Sequence, residues 1–296
     1  MNIIIVGAGI SGCVCANRLA MAGHAVTLIE KGRGVGGRMS TRRMDGAQID
    51  HGAQFFTARD PRMKDLVQDW VAQGIVVPWY DQVPGREDIP KSIRFRGING
   101  MTAPAKRLAE SFSFEKEFFV DSIYFDEEWQ INEKEGGNRR LLADHLVLTM
   151  PVPQMLELFQ RSQFELESKV MDQLEAVRYT RCLALLGILN KPSVLSDPGT
   201  ITHPVQDVDW ISDNQVKGIS EVPACTVHAA NDYSQKFWDS PDEGGPYLVK
   251  VAEECLQSKI TEWSCHRWGF AKPLVTFGAN QYTSAWDRLS LAGDSF

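Results

Sequence analysis

The chain has 296 residues, 43% of them hydrophobic and 23% charged, with 24 glycines and 14 prolines, a composition that excludes disordered, fibrous and low-complexity classes. At roughly 100–200 residues per domain, this length predicts two domains or one with a large insertion. The net charge of −7 runs against an electrostatic nucleic-acid binder, and no apolar run approaches the roughly 18 residues of a membrane-spanning helix, so neither nucleic acid nor membrane is expected as a partner.

The N-terminus, Met1-Asn2-Ile3-Ile4-Ile5-Val6, runs straight into a glycine motif without a basic leader region or cleavage site. None of the six cysteines forms a C-x-x-C pair, and Cys13 and Cys15 fall on different faces of any helix. No metal site and no disulfide scaffold is expected, and the protein reads as reduced and cytoplasmic.

Ile3 to Val6 is a β-branched run that predicts a buried parallel strand. Gly7-Ala8-Gly9-Ile10-Ser11-Gly12 follows, then helical spacing to Ala22, a Gly23 stop, and a second strand Ala25–Ile29 ending in Glu30. A bare G-x-G-x-x-G says little, but here strand, helix, second strand and acid all fall where a dinucleotide site needs them. Gly7 permits the tight turn, Gly9 lets backbone approach a pyrophosphate, and Gly12 lets helix and strand pack closely. Ser11 lies in the first turn of the helix, whose N–H groups favour phosphate, and Glu30 is placed to accept from a ribose. At this point the dinucleotide is NAD or FAD.

Directly after the acid comes Lys31-Gly32-Arg33-Gly34-Val35-Gly36-Gly37-Arg38. A second glycine doublet with an arginine suits the longer FAD, with Arg38 pairing a phosphate. Here the sequence resembles the glutathione-reductase-like FAD proteins, and within them the amine-oxidase superfamily. Asp50-His51-Gly52-Ala53-Gln54-Phe55-Phe56 resembles the segment that this superfamily lays beside the flavin, which makes Gln54 and Phe55 candidate cofactor neighbours and Phe56 a candidate pocket residue.

Helical spacing over 62–72, a turn-rich stretch and a strand-like 93–95 come next, then a predicted helix from 97–101 through Phe112. Residues 117–123 and 129–131 read as a hairpin. The resemblance implies that Val120 contacts adenine through its backbone. Asp144–Pro151 reads as a return to the parallel sheet. Strand-like pieces recur at 182–189 and 224–229, a helix is predicted from Gly245 or Pro246 through Lys259, and Leu289–Asp294 reads as a last strand that delivers Gly293 and Asp294 to the cofactor.

Leu148-Thr149-Met150-Pro151-Val152-Pro153, Leu174-Glu175-Ala176-Val177, Val227-His228 and Cys265-His266-Arg267-Trp268 carry a closer likeness. The sequence resembles the renalase family, in the same order along almost the whole chain. The resemblance implies an α/β fold of p-hydroxybenzoate-hydroxylase-like type. A discontinuous Rossmann-like FAD-binding domain (residues 1–60, 97–158 and 266–296) would be interleaved with a mixed-sheet substrate domain (61–96 and 159–265). It also implies oxidation of 2- or 6-dihydroNAD(P) to NAD(P)+ by hydride transfer to FAD, with O2 as final acceptor giving H2O2. His228 and Gln54 are candidates to bond a carboxamide and Trp268 to wall the pocket, with Trp210 and Phe56 beside them. Two other readings stand alongside: a flavin amine oxidase, for which Lys272 is the suggestive lysine, and a non-catalytic flavin- or nucleotide-binding protein. The family continues past Gly-Asp into a helix facing the flavin, whereas this sequence stops at Phe296, so a truncated product or loose FAD with impaired turnover is expected.

Overall fold

The structure is a computed structural model that describes residues 1–86, 88–134 and 139–296. The chain forms two compact units that alternate along the sequence: residues 1–37, 105–179 and 272–296 make the first, and 38–104 and 180–271 the second.

The first unit is built on a six-stranded sheet in the order Tyr282–Ser284, Leu289–Leu291, His145–Leu148, Asn2–Val6, Ala25–Ile29, Ser113–Glu115. All neighbours are parallel except the first pair. Ile3, Ile4 and Ile5 are buried, as a continuous β-branched run between parallel neighbours requires. Helix Ile10–Met21 packs on this sheet through the small residues Gly12, Cys13 and Ala16. An antiparallel sheet, Val120–Asp126, Glu128–Glu133 and Arg140–Ala143, turns at Glu127 with φ +61°. It shares a core with helices Val152–Ser162 and Ser168–Glu175, in which Trp129, Phe118, Phe159 and Leu174 are buried.

The second unit is built on a five-stranded antiparallel sheet in the order Thr200–Val205, Val208–Asp213, Ala224–Ala229, Cys182–Leu189, Ile260–Trp268. Strand Cys182–Leu189 is covered on both faces. Leu183 and Leu185 pack with Leu248, Val251, Ala252 and Leu256 of helix Pro241–Leu256, while Leu186 and Ile188 pack with Ala47 and Ile49 of the hairpin Thr41–Met44/Ala47–Asp50. Two-sided burial explains why Cys182–Leu189 reads as an unbroken apolar run. Helix Pro61–Ala72, capped by the Asp60 carboxylate accepting from Arg62 N at 2.8 Å, lies beside the hairpin Val76–Tyr80/Arg94–Gly97.

Some boundaries differ from the sequence reading. The helix expected from Gly245 or Pro246 begins at Pro241. A Cβ on Gly244 would lie 2.9 Å from Phe237 and one on Gly245 2.2 Å from Trp263, so both glycines serve close packing inside a helix. The helix expected from 97–101 through Phe112 is only Ala103–Ala109, because Gly100 adopts φ +94° and Gly97 is pressed against its carbonyl. Residues 38–60, 97–104 and 266–271 cluster with the second unit, where Ala47 and Ile49 bury against its sheet and Ile260–Trp268 is its edge strand; residues 159–179 cluster with the first, since Val170 and Leu174 join its core.

Candidate functional site

In the first unit, the sheet delivers two glycine loops to each other. Gly7 turns at φ +105°, its N–H donating to Ile29 O at 2.9 Å, and the Thr149 hydroxyl is held within 3.0 Å of the Val6 and Gly7 carbonyls. A Cβ on Gly12 would sit 2.0 Å from Gly7 O. Gly9 differs: a Cβ there would meet no atom within 4 Å. Gly9 is also the N-cap of helix Ile10–Met21 and supplies no capping side chain, which leaves first-turn N–H groups, including that of Ser11, suited to an anion. The second loop lies against the first through Gly36 N to Ala8 O at 2.8 Å and through Gly37, at φ +52°, whose Cβ would be 3.3 Å from Gly9 Cα. Glu30 ties both loops, accepting from Ala8 N and Gly32 N at 2.9 Å each. A carboxylate has further lone pairs for a ribose. The glycine cradle, the open Gly9 and the bare helix terminus fit the pyrophosphate and ribose of a dinucleotide. Lys31 is exposed beside them. Gly293, at φ +148°, follows the last parallel strand, and Asp294 accepts from the Tyr179 hydroxyl at 3.3 Å. Val120 buries its side chain, and its carbonyl accepts from Arg161 at 3.3 Å.

In the second unit, the sheet has two unlike faces. Residues opposite one another in antiparallel strands share a face, so Trp210, His228, Ala184 and His266 form one row. Ser212, Thr226, Leu186 and Ser264 form the next row on that face, and Trp268 lies opposite Cys182 in a third. The other face is the aliphatic one under helix Pro241–Leu256.

Above the polar face sits Asp50, fully buried and paired with the equally buried Lys217, Nζ to Oδ2 2.8 Å. Its other oxygen accepts from Thr41 Oγ1 at 2.6 Å and Met101 N at 2.8 Å. Lys217 also donates to Gln54 Oε1 at 3.1 Å and lies 4.8 Å from the Trp79 ring centroid. Burial lowers the Lys217 pKa, and Asp50 opposes that shift. Next to this pair Trp268 stacks on His51 at 5.2 Å and donates Nε1–H to His51 O at 2.8 Å, while His266 meets His51 edge-on at 4.9 Å. Burial, then His266 and Arg42, push His51 down to about 4, and burial and Arg42 lower His266 as well. Both imidazoles are therefore neutral at pH 7. Phe55 stands 5.7 Å from Trp210 and 6.3 Å from Tyr80.

The profile of the NAD(P)-binding Rossmann-like domain family matches residues 5–70. Renalase of Mus musculus is 27% identical over 196 residues, which span 62% of this chain and 57% of that protein. A 4,4'-diapophytoene desaturase of Staphylococcus haemolyticus is 52% identical over 52 residues, 18% of this chain and 10% of its own length. The chain thus spans little more than half of the one relative and a tenth of the other. Cyclohexylamine oxidase from Brevibacterium oxydans superposes with a TM-score of 0.75 at 15% identity, covering 99% of this chain and 92% of that one. Putrescine oxidase bound to putrescine superposes at 0.67 with 15% identity, covering 90% and 84%. The chain is similar to renalase over those 196 residues. Its fold is the α/β fold of these solved structures, a p-hydroxybenzoate-hydroxylase-like fold with a Rossmann-like domain.

In this chain, the structure brings together His228, Trp210 and Trp268 on the polar sheet face, but it reassigns two other residues. Gln54 is saturated: its amide donates to Asp50 O at 2.5 Å and Gly52 O at 3.1 Å, and its oxygen accepts from Ser212 at 2.9 Å and from Lys217. The flipped amide would point its NH2 at an ammonium, so the orientation is fixed. With no donor or acceptor left for a carboxamide, Gln54 is a positioning residue. Phe56 stacks on Phe95 at 5.8 Å and meets Trp70 at 6.2 Å, in the core of the helix-and-hairpin layer, whereas its neighbour Phe55 joins Trp210. Arg38 donates to Phe270 O at 3.0 Å. Lys272 is exposed ahead of strand Pro273–Val275, and the buried lysine is Lys217. Sequence reasoning missed Lys217, Trp79, Tyr80 and Arg94. For the last three the signal was present: Trp79-Tyr80 is an aromatic pair in a strand, and Arg94 and Arg96 alternate onto one strand face. Among the described residues, no three or more His, Cys, Asp or Glu are grouped to hold a metal, and no helix is long and apolar enough to cross a membrane.

Proposed function

We propose that this chain is an FAD-dependent oxidoreductase that takes a hydride from a flat dihydronicotinamide, the 2- or 6-dihydro isomer of NAD(P), and releases NAD(P)+. The observation that carries the reading is the polar sheet face of the second unit, where Trp210, His228 and Trp268 lie with Phe55 over a row that holds no free carboxylate or exposed lysine. Bound FAD supplies the hydride acceptor, and its reoxidation by O2 gives H2O2. The first unit's residues hold the cofactor: Gly7, Gly9, Gly12 and the terminus of helix Ile10–Met21 at the pyrophosphate, Glu30 at a ribose, and Gly293 and Asp294 at the remaining polar groups. Hydride donation needs position more than acid–base catalysis. His228 and Trp210, directly opposite across two strands, offer a polar edge and a flat wall to a nicotinamide. Gln54 and Lys217 fix the segment that carries Phe55.

The test is anaerobic reduction of the flavin-loaded protein. Borohydride-generated dihydroNAD isomers should bleach it rapidly and 4-dihydroNADH far more slowly. Faster bleaching by a primary amine would replace this reading with an amine oxidase, and bleaching by neither would replace it with a nucleotide-binding protein.

A further inference from the structure

The second unit also holds several buried hydrogen-bond donor atoms that lack acceptors. Arg94 Nε, Arg96 Nε, Trp79 Nε1 and Trp210 Nε1 are buried atoms with no hydrogen-bond partner among the described residues. All four can only donate. Arg94, Trp79 and Trp210 gather around two rings. The Arg94 guanidinium carbon lies 5.2 Å from the Phe55 centroid and 5.0 Å from that of Tyr80. Trp79 meets Tyr80 at 4.8 Å and Trp210 meets Phe55 at 5.7 Å. Arg96 projects from the same face of strand Arg94–Gly97, two residues on.

Charge is unbalanced here as well. Arg94 is only 8% exposed, and its Nη1 reaches the carbonyls of Asp81 and Ser92, both at 3.1 Å. Neither arginine takes part in an ion pair among the described residues. Arg96 Nη1 donates to the carbonyls of Gly97 and Ile98, and of the two acids whose field reaches it, Asp50 and Asp197, Asp50 is already paired with Lys217. A buried guanidinium without a carboxylate is costly, and an indole N–H without an acceptor adds to that cost. An anion rich in acceptor oxygens relieves both, and a planar guanidinium matches a phosphate in particular.

We propose that Arg94, assisted by Arg96 and the Trp79 and Trp210 N–H groups, is a phosphate subsite that recognises the phosphoryl group of a nucleotide substrate. The substrate's identity rests on the dihydronicotinamide reading above; the anion site itself does not. The same cation repels a protonated amine, so the subsite selects between the two substrate classes of this fold.

Nicotinamide mononucleotide and nicotinamide riboside differ only in the phosphate and make the test direct. Each is titrated into flavin-loaded protein, and tryptophan fluorescence reads the dissociation constant. Wild-type protein should bind the mononucleotide about 30-fold more tightly, as one or two charge-assisted hydrogen bonds give. Arg94→Gln should narrow the ratio to about 3-fold or less, with riboside affinity unchanged, and Arg94→Lys should fall between them. Because Arg94 also holds the carbonyls of Asp81 and Ser92, a second measurement uses wild-type protein alone: inorganic pyrophosphate should displace the mononucleotide and leave the riboside bound. No phosphate preference in wild-type protein, or a preference that survives in Arg94→Gln, overturns the subsite. An Arg94-dependent preference together with a flavin that dihydronicotinamides do not bleach upholds the subsite and overturns the substrate reading; the reverse result does the opposite.

Discussion

Lys217→Met tests the centre of the second unit. Lys217 and Asp50 are both fully buried, and each direction of the ammonium is used: Asp50 Oδ2 at 2.8 Å, Gln54 Oε1 at 3.1 Å and the Trp79 ring at 4.8 Å. Methionine fills most of the same volume, so the change removes a charge more than it opens a cavity. Asp50 keeps the hydrogen bonds from Thr41 and Met101 on one oxygen, while the other faces the interior with no partner. Breaking a buried pair in this way costs about 3–5 kcal/mol, and a unit of this size loses roughly 2–4 °C in Tm per kcal/mol. A fall of about 6–20 °C in the second unit's unfolding transition is expected, read by circular dichroism melting at pH 7.5. Asp50→Asn alone should also destabilise, by stranding Lys217, and the double variant should be less destabilised than the sum of the singles by about 2 kcal/mol. Additive singles, or a Lys217→Met deficit below about 1 kcal/mol, would refute the claim that the two charges are held by each other.

Three further outcomes are expected. Gly9→Ala should fold with its Tm unchanged, because a Cβ there meets nothing within 4 Å, yet bind FAD at least about 10-fold more weakly because the methyl enters the ligand's approach; equilibrium dialysis checks it. Gly12→Ala, with its Cβ 2.0 Å from Gly7 O, should instead lower thermal stability by about 2 kcal/mol or more even without cofactor. His51 is held neutral, with a pKa of about 4 against 6.5. The unfolded state binds the extra proton between those values, so stability should fall as pH drops from 6.5 to 4, by about 3 kcal/mol from this residue. Urea unfolding of His51→Gln across that window should show a flatter profile, and parallel profiles for variant and wild type would exclude His51 as the source.

Much of the first unit was legible because its signals are local. The turn at Gly7, the helix that follows and the acid at Glu30 are set by residues within about thirty positions, and each appears where the pattern places it. Alternation in Ala224–Ala229 and Val208–Asp213 likewise separates His228 and Trp210 from the aliphatic face. Lys217 had no such signal. It lies in Asn214-Gln215-Val216-Lys217-Gly218, a stretch that reads as a solvated turn, and its partner is 167 residues away. Gln54 reads as a flavin neighbour and a carboxamide partner until its four partners, from three separate segments, are in place. Phe55 and Phe56 must point opposite ways along an extended backbone, but only tertiary packing decides which one meets Trp210.

The glycines show why a motif alone underdetermines a site. Gly9, Gly36 and Gly37 read as places where a cofactor approaches, and Gly12 as the glycine that lets helix and strand pack. In the fold Gly9 has open space beyond its Cα; Gly12 is closed by Gly7 O, and the Gly36-Gly37 doublet brings the second loop onto the first. Glycine is demanded by close approach of any backbone, and that backbone belongs to the protein itself at most of these positions. The concave surface is therefore assembled by contacts between the two loops, with Glu30 bonded to both. Those contacts leave Gly9, joined to a helix terminus, uncovered.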